Sequence, residues 1–300
     1  MRDARSGLKP ARRPASAIEK APLRSGFAER GGGAKWTRGR WGGSILPMNT
    51  PAADPTSAPL SAKPHYHRAL LKISGESFCA KDGFGIDSAE LKLIAGEVAD
   101  AARQGTELAV VVGGGNIIRG ATLAEEGLIP QAIADQMGML GTVVNALALK
   151  EALETLGVEA RVMSAIMVSS VAEHFIRGRA LRHLDKGRVV IFAAGTGNPF
   201  STTDSGASLR ASEIGASVVL KATKVDGIYD KDPNKFSDAV RYEQITFDQA
   251  IEQDLKVMDI GSFAQCREQN IPIVVFDMKK PGNISRVVRG ESIGTRVVVG

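Results

Sequence analysis

Cysteine is scarce in this chain of 300 residues, and the scarcity argues against two classes of protein. Cys79 and Cys266 are the only cysteines, and they stand far apart with no C-x-x-C pair. Neither a disulfide framework nor a zinc site built from thiolates is supported. We expect both thiols to be inert in a reducing cytosol, with the chain held together by its hydrophobic core.

Histidine clusters and long apolar runs are lacking as well. The four histidines show no H-E-x-x-H or similar ligand spacing, so we expect no metal ion held by side chains of this chain. No apolar run approaches the roughly 18–20 residues that a membrane span needs, so we expect no membrane association.

The net charge of +5 comes from the N-terminal fifth of the chain. Residues 1–63 contain twelve Lys and Arg and four Asp and Glu, a net charge of +8, and the remaining residues carry a net charge of −3. The basic pI therefore describes a tail, and the folded part gives no indication of a nucleic-acid partner.

Residues 1–64 are rich in Arg, Pro, Ala, Gly and Ser and show no apolar periodicity. Such a composition cannot offset the entropy of ordering, so we expect a disordered extension followed by one catalytic domain over residues 65–300. A transit peptide or a nucleic-acid-binding arm would have a similar composition, whereas a secretory signal would need an apolar run. The interpretation we favour is that translation starts at Met48 and that residues 1–47 are an upstream extension of the reading frame.

From Arg68 onward, short β-branched runs alternate with longer helical patterns, which is typical of a parallel sheet covered on both faces by helices. We predict an α/β fold, a three-layer αβα sandwich around a mostly parallel sheet. The predicted strands are 68–73, 108–112, 159–163, 188–193, 217–221, 272–276 and 295–299. The predicted helices are 88–104, which begins after Asp87 and ends at Gly105, 130–156, 171–185, 204–214, 246–254, 259–269 and 282–289.

Glycine-rich loops directly follow three of the predicted strands, at residues 72–76, 113–116 and 195–204. Because the carboxyl ends of parallel strands meet at one edge of a sheet, where backbone amides face an anion, we expect these loops to converge there. No G-x-x-x-x-G-K-[ST] occurs, and neither Gly113-x-Gly115 nor Gly195-x-Gly197 has the third glycine of G-x-G-x-x-G. Neither a P-loop enzyme nor a classical dinucleotide dehydrogenase fits.

Two lysines, Lys72 and Lys221, end predicted strands at this edge, and Asp204 stands at a predicted helix start. Phosphoryl transfer needs cations on the transferred group and preorganised donors rather than covalent chemistry. Without such a role, a lysine at a strand end is simply exposed to solvent, and an acidic residue at a helix start caps the helix. The repetition at two strand ends favours a phosphate clamp in which Asp204 holds the two lysines and Mg²⁺ in register.

From about Tyr66 to the C-terminus, the sequence resembles the bacterial-type UMP kinases of the amino acid kinase superfamily. The similar segments are 71–76, 83–86, 113–116 with Arg119-Gly120, 135–140 with Thr142 and Asn145, 195–204 and 221–227. The glycine loops and Lys72 are shared across the superfamily, whereas segments 135–140 and 195–204 are more specific to UMP kinases.

The resemblance implies transfer of the γ-phosphoryl of ATP to UMP, giving UDP and ADP for pyrimidine nucleotide synthesis, with Mg²⁺ carried by the nucleotide phosphates. It implies a catalytic set of Lys72, Asp204 and Lys221. It implies ATP contacts from Lys72, Ser74, Gly75, Gly115, Arg119, Thr223, Tyr229 and Asp232. It implies UMP contacts from Gly114, Asp135, Thr196, Gly197, Asn198, Pro199, Phe200, Ser201, Thr202 and Thr203.

The resemblance also implies a cytoplasmic homo-oligomer, a hexamer, that GTP activates and UTP inhibits. The GTP-responsive loop of the family falls on Ala80, Lys81, Asp82, Gly83, Phe84 and Gly85. Two features depart from the family pattern: the long N-terminal extension, and the Ala80-Lys81-Asp82 segment inside that loop.

Three alternative functions stay open. Another amino acid kinase could act on a carboxylate or carbamate, although such a site would need additional cations and no carboxylate like Asp135 to bind a ribose. A nucleotide-sensing protein could keep the fold without turnover, although loss of Lys72, Asp204 or Lys221 would be its signature. A nucleic-acid-binding role would depend on the tail, which has little aromatic interleaving, so we expect none.

Overall fold

The computed structural model of this chain describes residues 65–81, 83–118, 124, 127–233, 235–255 and 258–300. All of them lie in the second of the two units into which the chain divides, residues 58–300. The predictions of a disordered extension and of a start at Met48 concern residues outside the described part, as do the site predictions for Asp82 and Arg119.

The described residues form one sheet of nine strands. The strands are β1 (Arg68–Ile73), β2 (Glu107–Val112), β3 (Ala160–Ser164), β4 (Glu173–His174), β5 (Val189–Ala193), β6 (Val218–Thr223), β7 (Gln244–Thr246), β8 (Ile273–Asp277) and β9 (Thr295–Val298). Their spatial order is β4-β3-β5-β2-β1-β6-β8-β9-β7. Neighbouring strands are parallel except β8 and β9, so the prediction of a mostly parallel sheet is confirmed.

Seven helices of the described chain cover this sheet. They are α1 (Ser88–Ala102), α2 (Gln131–Thr155), α3 (Arg177–Leu184), α4 (Thr203–Ile214), α5 (Phe247–Glu252), α6 (Ile260–Glu268) and α7 (Asn283–Val288). A short 3-10 helix, Gly75–Phe78, follows β1. Helices α1, α2 and α7 share one buried apolar cluster, and α3 to α6 share another.

The two clusters lie on opposite faces of the sheet because side chains alternate along each strand. In β1, Leu71 and Ile73 belong to the cluster of α1, α2 and α7, and Leu70 belongs to the other. Strands buried on both faces need unbroken apolar sequence, which is why β2 and β5 are almost wholly aliphatic. The predicted three-layer αβα sandwich is confirmed.

Helix α1 begins and ends where the sequence predicted, within two residues. The Asp87 carboxylate accepts hydrogen bonds from the backbone N–H groups of Ala89 and Glu90, and satisfies donors that have no partner inside the helix. Beyond its C-terminus, Gly105 adopts a φ of 84°, which glycine reaches without a steric cost.

Two local predictions were wrong or incomplete. The helix predicted over 171–185 begins only at Arg177, because Glu173 and His174 pair with β3 as an edge strand. Strand β7 was missed, since its three residues run directly into α5. Helix α2 is long and apolar enough, by length and composition alone, to cross a membrane. Its buried residues pack against the sheet, as in a core helix.

Candidate active site

The loops that follow β5, β2, β1 and β6 lie side by side, because these four strands are neighbours in the sheet and run parallel. Three of these loops are the glycine-rich segments, and the fourth follows Lys221. The fold therefore brings to one edge the segments from which the sequence predicted nucleotide binding.

Glycine is required in the first two loops because their backbones touch. A Cβ atom on Gly75 would lie 2.6 Å from the backbone nitrogen of Gly115, and one on Gly113 would lie 2.6 Å from that of Gly75. A Cβ on Gly114 would meet the carbonyl oxygen of Gly138 in α2, also at 2.6 Å. The loops after β1 and β2 thus form one layer against α2.

Two buried asparagines hold this layer together. The Asn116 and Asn145 amides are hydrogen-bonded to each other in both directions, at 3.1 and 2.7 Å. Asn145 also donates to the carbonyl oxygen of Gly113 at 2.7 Å. Because buried amides are costly unless paired, the network fixes the second glycine loop to α2.

The three residues of the predicted catalytic set meet at this edge. Lys72 Nζ lies 3.0 Å from Asp204 Oδ1, and Lys221 Nζ lies 2.8 Å from Asp204 Oδ2. The three side chains are only 12–15% exposed. Lys72 and Lys221 are direct partners in the pairing of β1 with β6, so two ammonium groups stand next to each other with one carboxylate between them.

This environment lowers the pKa of Lys221. Burial, which penalises the charged form, is the largest cause, and the neighbouring Lys72 ammonium acts in the same direction. The Asp204 carboxylate raises the pKa and partly offsets the other two effects. The charged form of Lys221 is therefore disfavoured in this environment, and a bound anion would stabilise it.

The N-terminus of α4 carries Asp204 into the site and is tied to α6. Thr202 caps α4 by accepting from the backbone N–H of Ser205, and its hydroxyl donates to Asp259 Oδ2. Asp259 in turn caps α6 by accepting from Ser262 N at 2.8 Å. Burial would raise the pKa of Asp259, but the hydrogen bonds from Thr202 and Ser262 bring it below its usual value.

A cleft of about 300 Å³ opens between α2 and the loop after β5. Its wall contains eight of the residues predicted to bind nucleotide, namely Gly114, Gly115, Asp135, Thr196, Asn198, Ser201, Thr202 and Thr203. Of the other residues predicted to contact UMP, Gly197, Pro199 and Phe200 belong to the same loop and do not line the cleft.

Asp135 makes contacts that the sequence did not indicate. Its Oδ2 accepts a hydrogen bond from the backbone N–H of Phe200 at 2.8 Å, and its Oδ1 accepts from the Gln131 amide at 2.7 Å. Phe200 has a φ of 62° and a side chain that is 77% exposed. Asp135 therefore shapes the loop as well as facing the cleft.

A second cavity, of about 570 Å³, lies beside β6. Thr223, Tyr229 and Asp232, the residues predicted to receive the adenosine end of ATP, line it together with Lys221. The Tyr229 hydroxyl donates to Asp226 at 2.6 Å, a contact that lowers the pKa of Asp226 and raises that of Tyr229. Lys221 contacts Asp204, and Asp204 directly follows Thr203, which lines the cleft.

The predicted regulatory loop lies outside both cavities. Its described residues are Ala80, Lys81, Gly83, Phe84 and Gly85. Gly85 N donates to the carbonyl oxygen of Asn116 at 2.7 Å, and the Asn116 amide donates back to the carbonyl oxygen of Gly85, also at 2.7 Å. The loop is thus tied to the second glycine loop by a pair of hydrogen bonds.

Several residues of the cleft were missed in the prediction of the site. They are Ile118, Ala134, Gly138, Met139, Thr142, Ala194 and Gly195. Asp259 and Arg210 were missed too; Asp259 accepts a hydrogen bond from Thr202, and Arg210 donates one to the carbonyl oxygen of Gly195. Helical spacing could have indicated the α2 members, because 134, 135, 138, 139 and 142 share one face. Cys266 is buried, and burial raises the pKa of its thiol to about 12, which disfavours the reactive thiolate.

Comparison with known proteins identifies related chains over most of this length. The model of the amino acid kinase family matches residues 67–277. A uridylate kinase of Xanthomonas oryzae pv. oryzae is 56% identical over 232 residues, which are 77% of this chain and 96% of the relative. A uridylate kinase of Xanthomonas euvesicatoria pv. vesicatoria has the same identity and coverage.

Solved structures give the same result. The crystal structure of UMP kinase from Bacillus anthracis superimposes with a TM-score of 0.75 at 38% identity, covering 78% of this chain and 96% of that one. The crystal structure of UMP kinase from Ureaplasma parvum superimposes with a TM-score of 0.73 at 38% identity, covering 77% and 98%.

Proposed function

Because this chain belongs to the amino acid kinase family, we propose that it is a UMP kinase, which transfers the γ-phosphoryl of ATP to UMP. The observation that carries the proposal is the pair of strand-end ammonium groups, Lys72 and Lys221, which Asp204 holds together, with Lys221 in the wall of the second cavity. Uridylate kinases at 56% identity and UMP kinase structures at 38% identity support the choice of substrate.

In the proposed reaction, a phosphate oxygen of UMP attacks the γ-phosphorus of ATP, and the bond to the β–γ bridging oxygen breaks to release ADP. Lys72 and Lys221 stabilise the negative charge of the transferred group. Asp204 holds both ammonium groups and favours the protonated form of Lys221, because its carboxylate raises the pKa of that lysine against the lowering by burial. Backbone N–H groups of the loops that contain Ser74, Gly75 and Gly115 face the phosphates.

The two nucleosides occupy different cavities in this proposal. UMP lies in the cleft, where Asp135 faces the ribose hydroxyls and the segment from Thr196 to Thr203 faces uracil and phosphate. ATP lies in the second cavity, where Thr223, Tyr229 and Asp232 receive the adenosine end. Arg119 is proposed to contact the phosphates on the strength of the family pattern.

ATP-dependent kinases need a divalent cation, and we propose that the nucleotide phosphates carry Mg²⁺ here. The described residues contain no group of three or more His, Cys, Asp and Glu side chains that could hold a metal ion. Both oxygens of Asp204 lie within 3.0 Å of an ammonium group, so its carboxylate is already engaged. When bound, Mg²⁺ neutralises phosphate charge and orients the β- and γ-phosphoryl groups.

We further propose that the enzyme is a cytoplasmic homo-oligomer, a hexamer as the family pattern implies. Helix α2 supports association, because Ile133, Leu140 and Val144 are each 46–48% exposed and lie on one face of the helix. Light scattering on the purified chain gives the number of subunits.

Regulation by GTP as activator and UTP as inhibitor is also proposed. Loop 80–85 is the proposed GTP-responsive segment. The hydrogen bonds between Gly85 and Asn116 support it, because they offer a direct connection from that loop to the glycine loop at the cleft. UTP shares the uridine of UMP, so we place its inhibition at the acceptor cleft.

One assay separates the proposed function from the alternatives. ADP release is measured for UMP, CMP, dTMP, carbamate and N-acetylglutamate at saturating ATP and Mg²⁺. A UMP kinase turns over UMP far faster than the others. Turnover of carbamate or N-acetylglutamate instead would identify another amino acid kinase, and nucleotide binding without any turnover would identify a sensing protein.

A further inference from the structure

We propose that Thr142 and Arg210 act together as positioning residues, which clamp the turn at Ala194 and Gly195 and so fix the loop that binds the phosphoryl acceptor. The inference rests on the proposed function, since it concerns the acceptor cleft. Neither residue belongs to the catalytic set, and the two reach the turn from helices on opposite faces of the sheet.

The turn itself has an unusual backbone. Ala194 and Gly195 follow β5 directly and have φ values of 62° and 54°, two successive residues in the left-handed region. Glycine enters this region freely, but alanine occupies it only where its surroundings hold it there. The turn redirects the chain from the strand into segment 196–203, five of whose residues line the cleft and which leads to Asp204.

Thr142 holds the first residue of the turn from α2. Its buried hydroxyl accepts the backbone N–H of Ala194 at 2.6 Å and donates to the carbonyl oxygen of Met139, also at 2.6 Å. One hydroxyl therefore satisfies a buried donor and a buried acceptor at once. Valine has the same shape without either capability.

Arg210 holds the second residue of the turn from α4. Its guanidinium donates to the carbonyl oxygen of Gly195 at 3.3 Å, pairs with Glu213, and lies 3.9 Å from the centre of the Phe175 ring. The residue is only 5% exposed, and its charge is paired, hydrogen-bonded and stacked. A buried arginine with these contacts fixes the direction of the Gly195 carbonyl.

Helix α4 also supports the turn through its backbone. A Cβ atom on Gly206 would lie 2.9 Å from the Gly195 Cα atom, so the turn rests directly on the helix. With Thr142 on one side and Arg210 and Gly206 on the other, the acceptor loop starts from a defined direction. The residues proposed to receive the adenosine end of ATP, Thr223, Tyr229 and Asp232, line the second cavity, whereas Ala194 and Gly195 line the cleft.

The test compares Thr142→Val with Thr142→Ser and Arg210→Met with Glu213→Gln. We expect Thr142→Val and Arg210→Met to raise KM for UMP by about tenfold or more, while KM for ATP stays within about twofold. Thr142→Ser retains the hydroxyl and should restore KM for UMP to within about threefold. Glu213→Gln should lower the melting temperature without raising KM for UMP, because the contact with Gly195 remains.

Hydrogen exchange measured on the same variants distinguishes failure of the clamp from failure of the proposed function. Amides of 194–203 should exchange faster in Thr142→Val and Arg210→Met, with those of β2 unchanged. Unchanged exchange in this segment, or equal rises in KM for UMP and ATP, would overturn the clamp. Faster exchange in a chain whose wild type does not phosphorylate UMP would overturn only the proposed function.

Discussion

Lys72 and Lys221 are partner residues on adjacent parallel strands, an arrangement that two cations would avoid without a reason. Burial and the neighbouring Lys72 ammonium both lower the pKa of Lys221, and the Asp204 carboxylate, which contacts both ammonium groups, partly offsets this effect at Lys221. A phosphoryl group in flight carries the negative charge that such a pair can stabilise. The repulsion between the two ammonium groups is then offset most strongly in the transition state, which is what lowers the barrier.

Replacing Lys221 with a neutral residue should therefore lower kcat more than it weakens the binding of UMP. We expect Lys221→Ala to lower kcat by about 10²–10³, with small changes in the affinity for UMP. The melting temperature should change little, because burial already disfavours the charged lysine and Lys72 still pairs with Asp204. Lys92→Ala, at an exposed lysine of α1, is the matched control. A decrease in kcat of less than about fivefold would show that Lys221 is a solvated residue at a strand end with no catalytic role.

The lowered pKa of Lys221 also predicts a pH dependence. Since the protonated ammonium is needed, kcat should fall as pH rises through the folded pKa, below the usual range of lysine. Asp204→Asn removes the carboxylate that raises this pKa, so the alkaline limb should move to lower pH. The limb is measured in kcat–pH profiles, with Asp100→Asn on α1 as control. A limb that stays or moves upward contradicts this assignment.

The same pKa sets the sign of a stability effect. Unfolded Lys221 binds its proton more tightly than folded Lys221. The contribution of this group to the unfolding free energy therefore increases as pH rises from the folded pKa to the ordinary pKa of lysine. Its contribution is thus unfavourable at neutral pH, in keeping with a residue that serves binding rather than the fold.

Some functional residues could be predicted from the sequence and others could not. Lys72, Asp204 and Lys221 stand at strand and helix ends, positions that local patterns reveal. Asp259 and Arg210 act through contacts with residues 57 and 15 positions away, and no local pattern marks those contacts. The binding roles assigned to single residues stay predictions.

At the scale of elements, aliphatic runs and glycine stops predicted the main strands and helices to within a few residues. Strand β4 could not be predicted, because its two residues gain their conformation from pairing with β3 rather than from local preference. Strand β7 likewise depends on β9, which follows about 50 positions later in the chain. The three-layer architecture could be predicted because burial on both faces of the sheet leaves a continuous apolar pattern.

Two glycines inside helices give opposite predictions. A Cβ on Gly96 of α1 meets nothing within 4 Å, whereas a Cβ on Gly206 of α4 would lie 2.9 Å from the Gly195 Cα atom. Gly96→Ala should raise the unfolding free energy by about 0.5–1 kcal/mol, since alanine is the better helix former. Gly206→Ala should lower both stability and kcat/KM for UMP. Denaturant unfolding measures the stability of both variants, and steady-state kinetics measures kcat/KM for UMP. Equal effects of the two substitutions would contradict the close approach of Gly206 to Gly195.

At the scale of the whole molecule, Lys221 lines the second cavity, and its partner Asp204 directly follows Thr202 and Thr203, which line the acceptor cleft. Every residue of this arrangement lies within 65–300, where the sequence predicts the catalytic domain. The extension before it has a composition that gives no packing face.

Removal of residues 1–47 should therefore leave turnover and melting temperature essentially unchanged. The comparison is made between the full chain and a chain that starts at Met48, by kinetics, thermal melts and light scattering. Mass spectrometry of the native protein should find the N-terminus at or just after Met48. Peptides from residues 3–40 in cells would refute the start site, and loss of the oligomer on deletion would refute an inert extension.

The most direct test of the proposed function is the ratio of kcat/KM for UMP to that for CMP, measured on the full chain at fixed ATP and Mg²⁺. A cleft that hydrogen-bonds uracil leaves a buried group unpaired against cytosine, because the exocyclic amine reverses donor and acceptor at one edge. We expect UMP to exceed CMP by at least about a hundredfold. Comparable values for the two nucleotides would contradict a UMP-specific kinase and indicate a general pyrimidine nucleotide kinase.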